Sequence, residues 1–135
     1  MAQTQTQVQT QTQTTDNLNI LRWNTNGLIK NYQDFKHTLF TLQPTILCIQ
    51  ETHLKPNDPY TLNIHPYTLI RKDHSPPART GGVAAYIKNN ISHQNITPTI
   101  NTDILAFEIY INNITITIFN CYFPPNDDFD TTQRT

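Results

Sequence analysis

Glycine is nearly missing from this chain, at 3 residues of 135. Collagen-like and Gly/Ser-linker readings need many glycines, so both fail. Charge is scarce too: charged residues make up 14%, and the formal net charge is −1. That excludes a highly charged disordered chain and a histone-like basic protein. Long apolar runs are missing. Stretches such as Ile46-Leu47-Cys48-Ile49 fall far short of the roughly 20 residues of a membrane span, so no membrane association is expected. Met1-Ala2 is followed by Gln and Thr, not by a basic and then an apolar stretch, and no secretory signal is read. The only two cysteines, Cys48 and Cys121, both sit in apolar segments. Buried, reduced thiols in an intracellular protein are the expectation.

What the chain does have is Thr, Asn and Ile, unevenly spread. Gln3 to Thr15 reads QTQTQVQTQTQTT, polar on both faces of any strand it could form. Residues 1–16 are therefore expected to be a disordered tail, with folding confined to 17–135. Residues 1–100 carry a net charge of +3 and residues 101–135 a net of −4. A mild positive bias suits a phosphate-containing ligand without deciding for one.

Leu18 to Trp23 is apolar and β-rich, and stops at the turn signal Asn24-Thr25-Asn26-Gly27. From there Leu28, Tyr32, Phe35, Leu39 and Leu42 follow at intervals of four, three, four and three, one face of a helix that Pro44 ends. Thr45 to Gln50 is a short continuous apolar run, as a strand covered on both faces requires. Tyr67–Lys72 and Gly82–Lys88 are further strands. Leu105–Ile111 and Ile114–Tyr122 alternate around Asn112-Asn113 and predict a two-residue hairpin. Asn126-Asp127-Asp128 reads as the cap of a following helix. The first strand, the helix and the Thr45–Gln50 strand suggest a parallel crossover pair in a mixed α/β layout.

Polar residues where strands end are the natural place for a site in such a sheet. Asn24 and Asn26 follow the first strand, Glu51 follows the buried one, and Asn120 and Tyr122 close the last. A carboxylate at the mouth of a buried strand has to be solvated, paired or bound to metal. Glu and Asn oxygens favour a hard cation such as Mg²⁺. Tyrosine and asparagine can donate to phosphate oxygens without net positive charge. Singly, each has an ordinary explanation: a plain turn, a solvated loop carboxylate, a half-buried strand residue. Asn90-Ile91-Ser92, Asn95-Ile96-Thr97 and Asn113-Ile114-Thr115 match glycosylation sequons by chance in an Asn/Thr-rich chain.

The combination carries more. In order, WNTNG, a helix, IQETHL, then GGVAAYIK and NCYFPP closely resemble the endonuclease domain of non-LTR retrotransposons. That domain belongs to the endonuclease/exonuclease/phosphatase superfamily with the AP endonucleases and DNase I. The resemblance runs from about Leu18 to Pro125. It implies part of a four-layer α/β/β/α sandwich with a mixed sheet. It makes Glu51 the divalent-metal ligand, with Asn24 organising metal and scissile phosphate. Tyr122 becomes a contact of the phosphate being cleaved, and Asn26 and Asn120 lie on the substrate side. Asn at position 26, where AP endonucleases usually carry Asp, favours the retrotransposon branch. Gly81-Gly82 implies close strand packing, and His53, beside Glu51, reads as structural or peripheral.

The implied chemistry is Mg²⁺-assisted hydrolysis of a DNA phosphodiester, with Mn²⁺ as an alternative ion, leaving a 3′-hydroxyl that primes reverse transcription. The implied partners are target DNA and a reverse transcriptase domain in the same polyprotein, which would work in the nucleus. The family's second-half motifs, G-D-F-N, a later Asp and S-D-H, do not occur here. Half a metal site is expected to show little or no activity. The chain is expected to build roughly one sheet whose open inner face, with Ile46, Phe107, Ile109 and Phe119, makes it aggregation-prone. Two other readings stand beside this one: another superfamily phosphoesterase or DNA-repair nuclease, and a non-enzymatic binding module.

Overall fold

The computed structural model describes residues 18–56, 58, 62–74 and 81–124. The expected Gln/Thr tail and the cap at Asn126-Asp127-Asp128 lie outside the described residues. Eight elements follow in order: β1 (Ile20–Asn24), α1 (Tyr32–Leu42), β2 (Ile46–Gln50), β3 (Tyr67–Lys72), β4 (Val83–Lys88), β5 (Ser92–Asn95), β6 (Asp103–Ile111) and β7 (Ile114–Tyr122). They form a four-stranded mixed sheet, β1-β2-β4-β3, and a three-stranded antiparallel sheet, β5-β6-β7. β1 and β2 are parallel and joined through α1, the crossover that their spacing predicts.

Strand parity sorts the core into two layers. On one face of the first sheet Leu47 and Ile49 of β2, with Ala84 and Tyr86 of β4, meet Phe35 and Leu39 of α1. Phe35 stacks on Trp23 at 5.5 Å between ring centroids and leans on Tyr86 at 5.2 Å. On the other face Ile46, Cys48, Val83, Ala85 and Ile87 meet Leu105, Phe107 and Ile109 of the second sheet. β2 up to Gln50 and β4 up to Lys88 are thus almost wholly apolar because both of their faces are covered. The described layers are helix, sheet, sheet.

This arrangement corrects the one-sheet expectation. The chain supplies strands to both sheets, and Ile46, Phe107 and Ile109 are fully buried between them. Only Phe119 faces out, at 63% exposure, since it points away from the face of β7 that carries Ile118 and Asn120. Helix α1 is also shorter than its apolar spacing. Leu28 is buried, but it sits in the turn before the helix, where the Asn31 side-chain amide donates to the Thr25 and Gly27 carbonyls. At the other end Leu42 is exposed, and Gln43 adopts a left-handed φ of 48° that closes the helix before Pro44.

The hairpin forms as expected, with Ile111 opposite Ile114 and Asn112 and Asn113 at φ 51° and 65°. Strand β5 carries no apolar signal at all; its four residues SHQN are held by pairing with β6. Cys48 is buried, which pushes its thiol up to about 11, whereas Cys121 is exposed on β7. The buried-thiol expectation fails for Cys121 because its position on β7 shares the outward parity of Phe119.

Candidate functional site

Six strand termini converge on one edge of the sandwich. In the register of the first sheet Asn24 pairs with Gln50, Gln50 with Val83, and Val83 with Lys72. In the second sheet Asp103 pairs with Tyr122. The loops that leave these ends are stitched to one another. Thr25 N–H donates to the Gln50 carbonyl at 2.9 Å, Gly27 N–H to Glu51 at 2.8 Å and Leu28 N–H to Thr52 at 2.9 Å. On the opposite side Thr52 N–H donates to the Gly82 carbonyl and His53 N–H to Gly81. The segment after β2 is therefore clamped between the WNTNG turn and the glycine pair. Within it Glu51 and His53 hold left-handed φ values of 51° and 57°. Backbone strain of this kind, in non-glycine residues fixed by their surroundings, is common at working sites.

Glu51 is the centre of the cluster. Asn24 Nδ2 donates to its Oε2 at 2.9 Å, while Asn24 Oδ1 accepts the Asn26 N–H at 3.1 Å. The Asn24 amide is thereby oriented from both ends. His53 Nε2 lies 3.4 Å from Glu51 Oε1, and the Tyr122 hydroxyl is near enough to the same carboxylate to favour its anion. The Asn24 amide is the main cause that holds the Glu51 carboxyl below the usual carboxylate range; burial opposes it, and Tyr122 and His53 add to it. Tyr122 moves the other way. Burial first, then its bond to the Glu51 anion, push the phenol up to about 12, so it remains a proton donor.

Asn24, Glu51 and Tyr122 thus come together, as their positions at strand ends suggested. Asn26 is exposed at the tip of the turn and supplies its φ of 47°. Asn120 turns inward and is 3% exposed. Its Nδ2 donates to the carbonyls of Ile49 at 3.0 Å and Ala84 at 2.9 Å, and its Oδ1 accepts from Gln50 Nε2 at 2.6 Å. Both amide protons are committed to the other sheet, so Asn120 as placed joins the sheets instead of facing a substrate. His53, which the sequence reads as structural or peripheral, touches the Glu51 carboxylate, a contact that rests on the left-handed φ of both residues. The pair His74 and Asp103 carried no motif and was not anticipated.

The glycine pair earns its composition from close approach. A Cβ on Gly82 would come 2.5 Å from Thr52 Oγ1, and its φ is +88°. Gly82→Ala is expected to cost about 2 kcal/mol, measured by urea unfolding; a loss too small to measure would show that this loop yields freely.

A divalent cation fits this chemistry. Mg²⁺ takes one or two carboxylates and keeps several waters, and Glu51, 23% exposed and anionic, offers one such oxygen set beside the Asn24 amide. Among the described residues no group of three or more His, Cys, Asp or Glu is placed to hold a metal. In metal-free buffer the Glu51 carboxyl should titrate below the ordinary glutamate range, followed by carbon NMR, and Asn24→Ala should move it up. The linked stability is present above the ordinary carboxylate pKa and is lost as pH falls through the lowered one. A titration midpoint unmoved by Asn24→Ala would break this assignment of cause.

Comparison with known proteins agrees with the architecture. Residues 23–134 match the family model described as the Endonuclease/Exonuclease/phosphatase family. No curated protein sequence matches. Among solved structures the fold is similar to the AP endonuclease LMAP from Leishmania major, with a TM-score of 0.65 at 16% identity over 83% of this chain and 42% of that one. The Xenopus laevis APE2 catalytic domain gives 0.62 at 18% identity, covering 85% and 48%. The endonuclease domain of TRAS1, a telomere-specific non-LTR retrotransposon, gives 0.62 at 17%, covering 85% and 50%. The chain thus spans half or less of the length of these three structures. With two stacked sheets, a site on their shared edge and a family match over most of its length, the chain belongs to the endonuclease/exonuclease/phosphatase family.

Proposed function

We propose that this chain carries the N-terminal part of a metal-dependent phosphodiesterase site, over residues 17–135, and that its activity is DNA nicking of the non-LTR retrotransposon type. The observation that carries the reading is the Asn24–Glu51–Tyr122 cluster, one anion ringed by neutral donors at a strand-end edge. The retrotransposon branch is supported by Asn26, where AP endonucleases usually have Asp. DNA as substrate is supported by the fold's relatives, which include an AP endonuclease and a retrotransposon endonuclease domain. A reverse transcriptase domain in the same polyprotein belongs to the same proposal.

Glu51, with Asn24 steering it, would hold Mg²⁺, which when bound neutralises charge on the phosphate. The residues' own part is positional. Asn24 locks the carboxylate rotamer through Nδ2, and the Asx-type bond from Asn26 locks Asn24. Tyr122, protonated well above neutral pH, offers its hydroxyl to a phosphate oxygen arriving at the edge. Gln50 and Thr52, both buried, flank Glu51 in sequence.

Two measurements test this. Mn²⁺ added to the chain should broaden the amide signals of Asn24, Glu51 and Tyr122 before any others, and Glu51→Gln should abolish that pattern. On supercoiled plasmid, nicking by the chain should be weak, strictly Mg²⁺-dependent and lost in Glu51→Gln. Preferential broadening elsewhere, or nicking indifferent to metal and to Glu51, would overturn the reading. Selective cleavage at abasic sites would move it to the repair branch.

A further inference from the structure

A second polar cluster lies at the same edge, across the Gly81-Gly82 turn from Glu51. Asp103 opens β6, and its side chain is only 6% exposed. Its Oδ2 accepts the Gly82 N–H at 3.1 Å, and both of its oxygens lie 3.0 Å from His74 Nδ1. A buried carboxylate is costly without such donors. Asp103 is also the register partner of Tyr122, so the two clusters share one border.

His74 follows β3 by two residues, and its side chain is 31% exposed. With Nδ1 directed at Asp103, Nε2 is the ring nitrogen that has no hydrogen bond among the described residues. The turn is shaped around this pair. Gly81 has φ +72°, and a Cβ there would run into Asp103 Oδ2 and come 2.8 Å from His74 Nδ1. A tether between β3 and β6 has no need of a ring left a third open, on the edge where the Glu51 cluster sits.

Resting on the phosphodiester reading above, we infer that His74 is a nucleic-acid phosphate contact: oriented by Asp103, its protonated ring donates Nε2–H to a backbone phosphate next to the one at Glu51. Such a contact fixes register and adds affinity without reading sequence.

The test is binding of a short DNA duplex by the whole chain in EDTA at low salt, read by fluorescence anisotropy. His74→Gln, whose amide can still donate to Asp103, should weaken binding by about three- to tenfold at a temperature where circular dichroism shows the variant to be folded. Asp103→Asn, which keeps an acceptor for the ring but removes the charge, should weaken it less. In the wild type, the His74 Nε2 nitrogen signal should shift on adding duplex. Unchanged affinity in His74→Gln, an Nε2 signal that stays put, or no duplex binding at all would each overturn the inference. Since no metal is present, these results are separate from the Mn²⁺ and nicking tests of Glu51. A silent His74 with a responsive Glu51 removes only this step.

Discussion

Replacing Asn120 with alanine will lower the unfolding free energy by about 3 kcal/mol, measured by urea denaturation, the largest stability loss expected of any single polar side chain described here. The side chain spans the gap between the sheets with three hydrogen bonds, all buried. Truncation strands Gln50 Nε2 and two carbonyls and opens a small void, and each stranded buried group costs about 1–3 kcal/mol. Asn120→Asp has the same shape but presents an anion to the carbonyls of Ile49 and Ala84, so it should lose at least as much at neutral pH. Gln50→Leu should lose less. It leaves Asn120 Oδ1 without its donor, but it also removes Gln50 Oε1, a buried oxygen that has no hydrogen-bond partner among the described residues. If Asn120→Ala and Asn120→Asp both fall within about 1 kcal/mol of wild type, the clamp does not hold the sheets together.

That clamp shows where sequence reasoning reached its limit. Asn120 and Tyr122 are two apart on β7 and so share a face, the one turned toward the first sheet. The strand pattern reveals that parity but not the depth. Tyr122 lies at the strand's end and reaches the loop beyond β2, whereas Asn120 lies one step further in, beneath Ile49 and Ala84. Two strand-end polar residues that look alike in sequence therefore do different work. The inter-sheet core was hidden for a related reason. Alternation in Leu105–Ile111 says that one face is apolar, but not that the covering surface comes from Ile46 and Cys48, some 60 residues earlier. By contrast, the hairpin at Asn112-Asn113 and the parallel crossover through α1 were legible, because local φ preference and short connections decide them. Strand β5 was invisible, since SHQN is polar and only its pairing with β6 makes it a strand. The approach of His53 to Glu51 depends on two left-handed residues that no spacing rule foresees.

At the site itself the largest effect belongs to Glu51, and its size relative to its neighbours separates their roles. Glu51→Gln should weaken Mn²⁺ binding by at least about a hundredfold, since it removes the only carboxylate of the cluster while preserving its shape. Asn24→Ala should weaken it by about ten- to a hundredfold, the usual effect of losing a group that orients a ligand and does not itself carry the charge. Tyr122→Phe should leave Mn²⁺ affinity within about threefold, because its hydroxyl is not the principal donor to the carboxylate. The same variant should lose inorganic phosphate binding measured beside the metal, since the protonated phenol is the donor offered to the phosphate. The series is ordered by chemistry: the anion first, its orienting amide second, and the phenol only when phosphate is present. If Tyr122→Phe weakens the metal as much as Asn24→Ala does, the phenol is part of the metal's scaffold and not a phosphate donor. If Glu51→Gln leaves Mn²⁺ affinity intact, the cation sits elsewhere and the cluster is only a knot of hydrogen bonds between the loops at this edge.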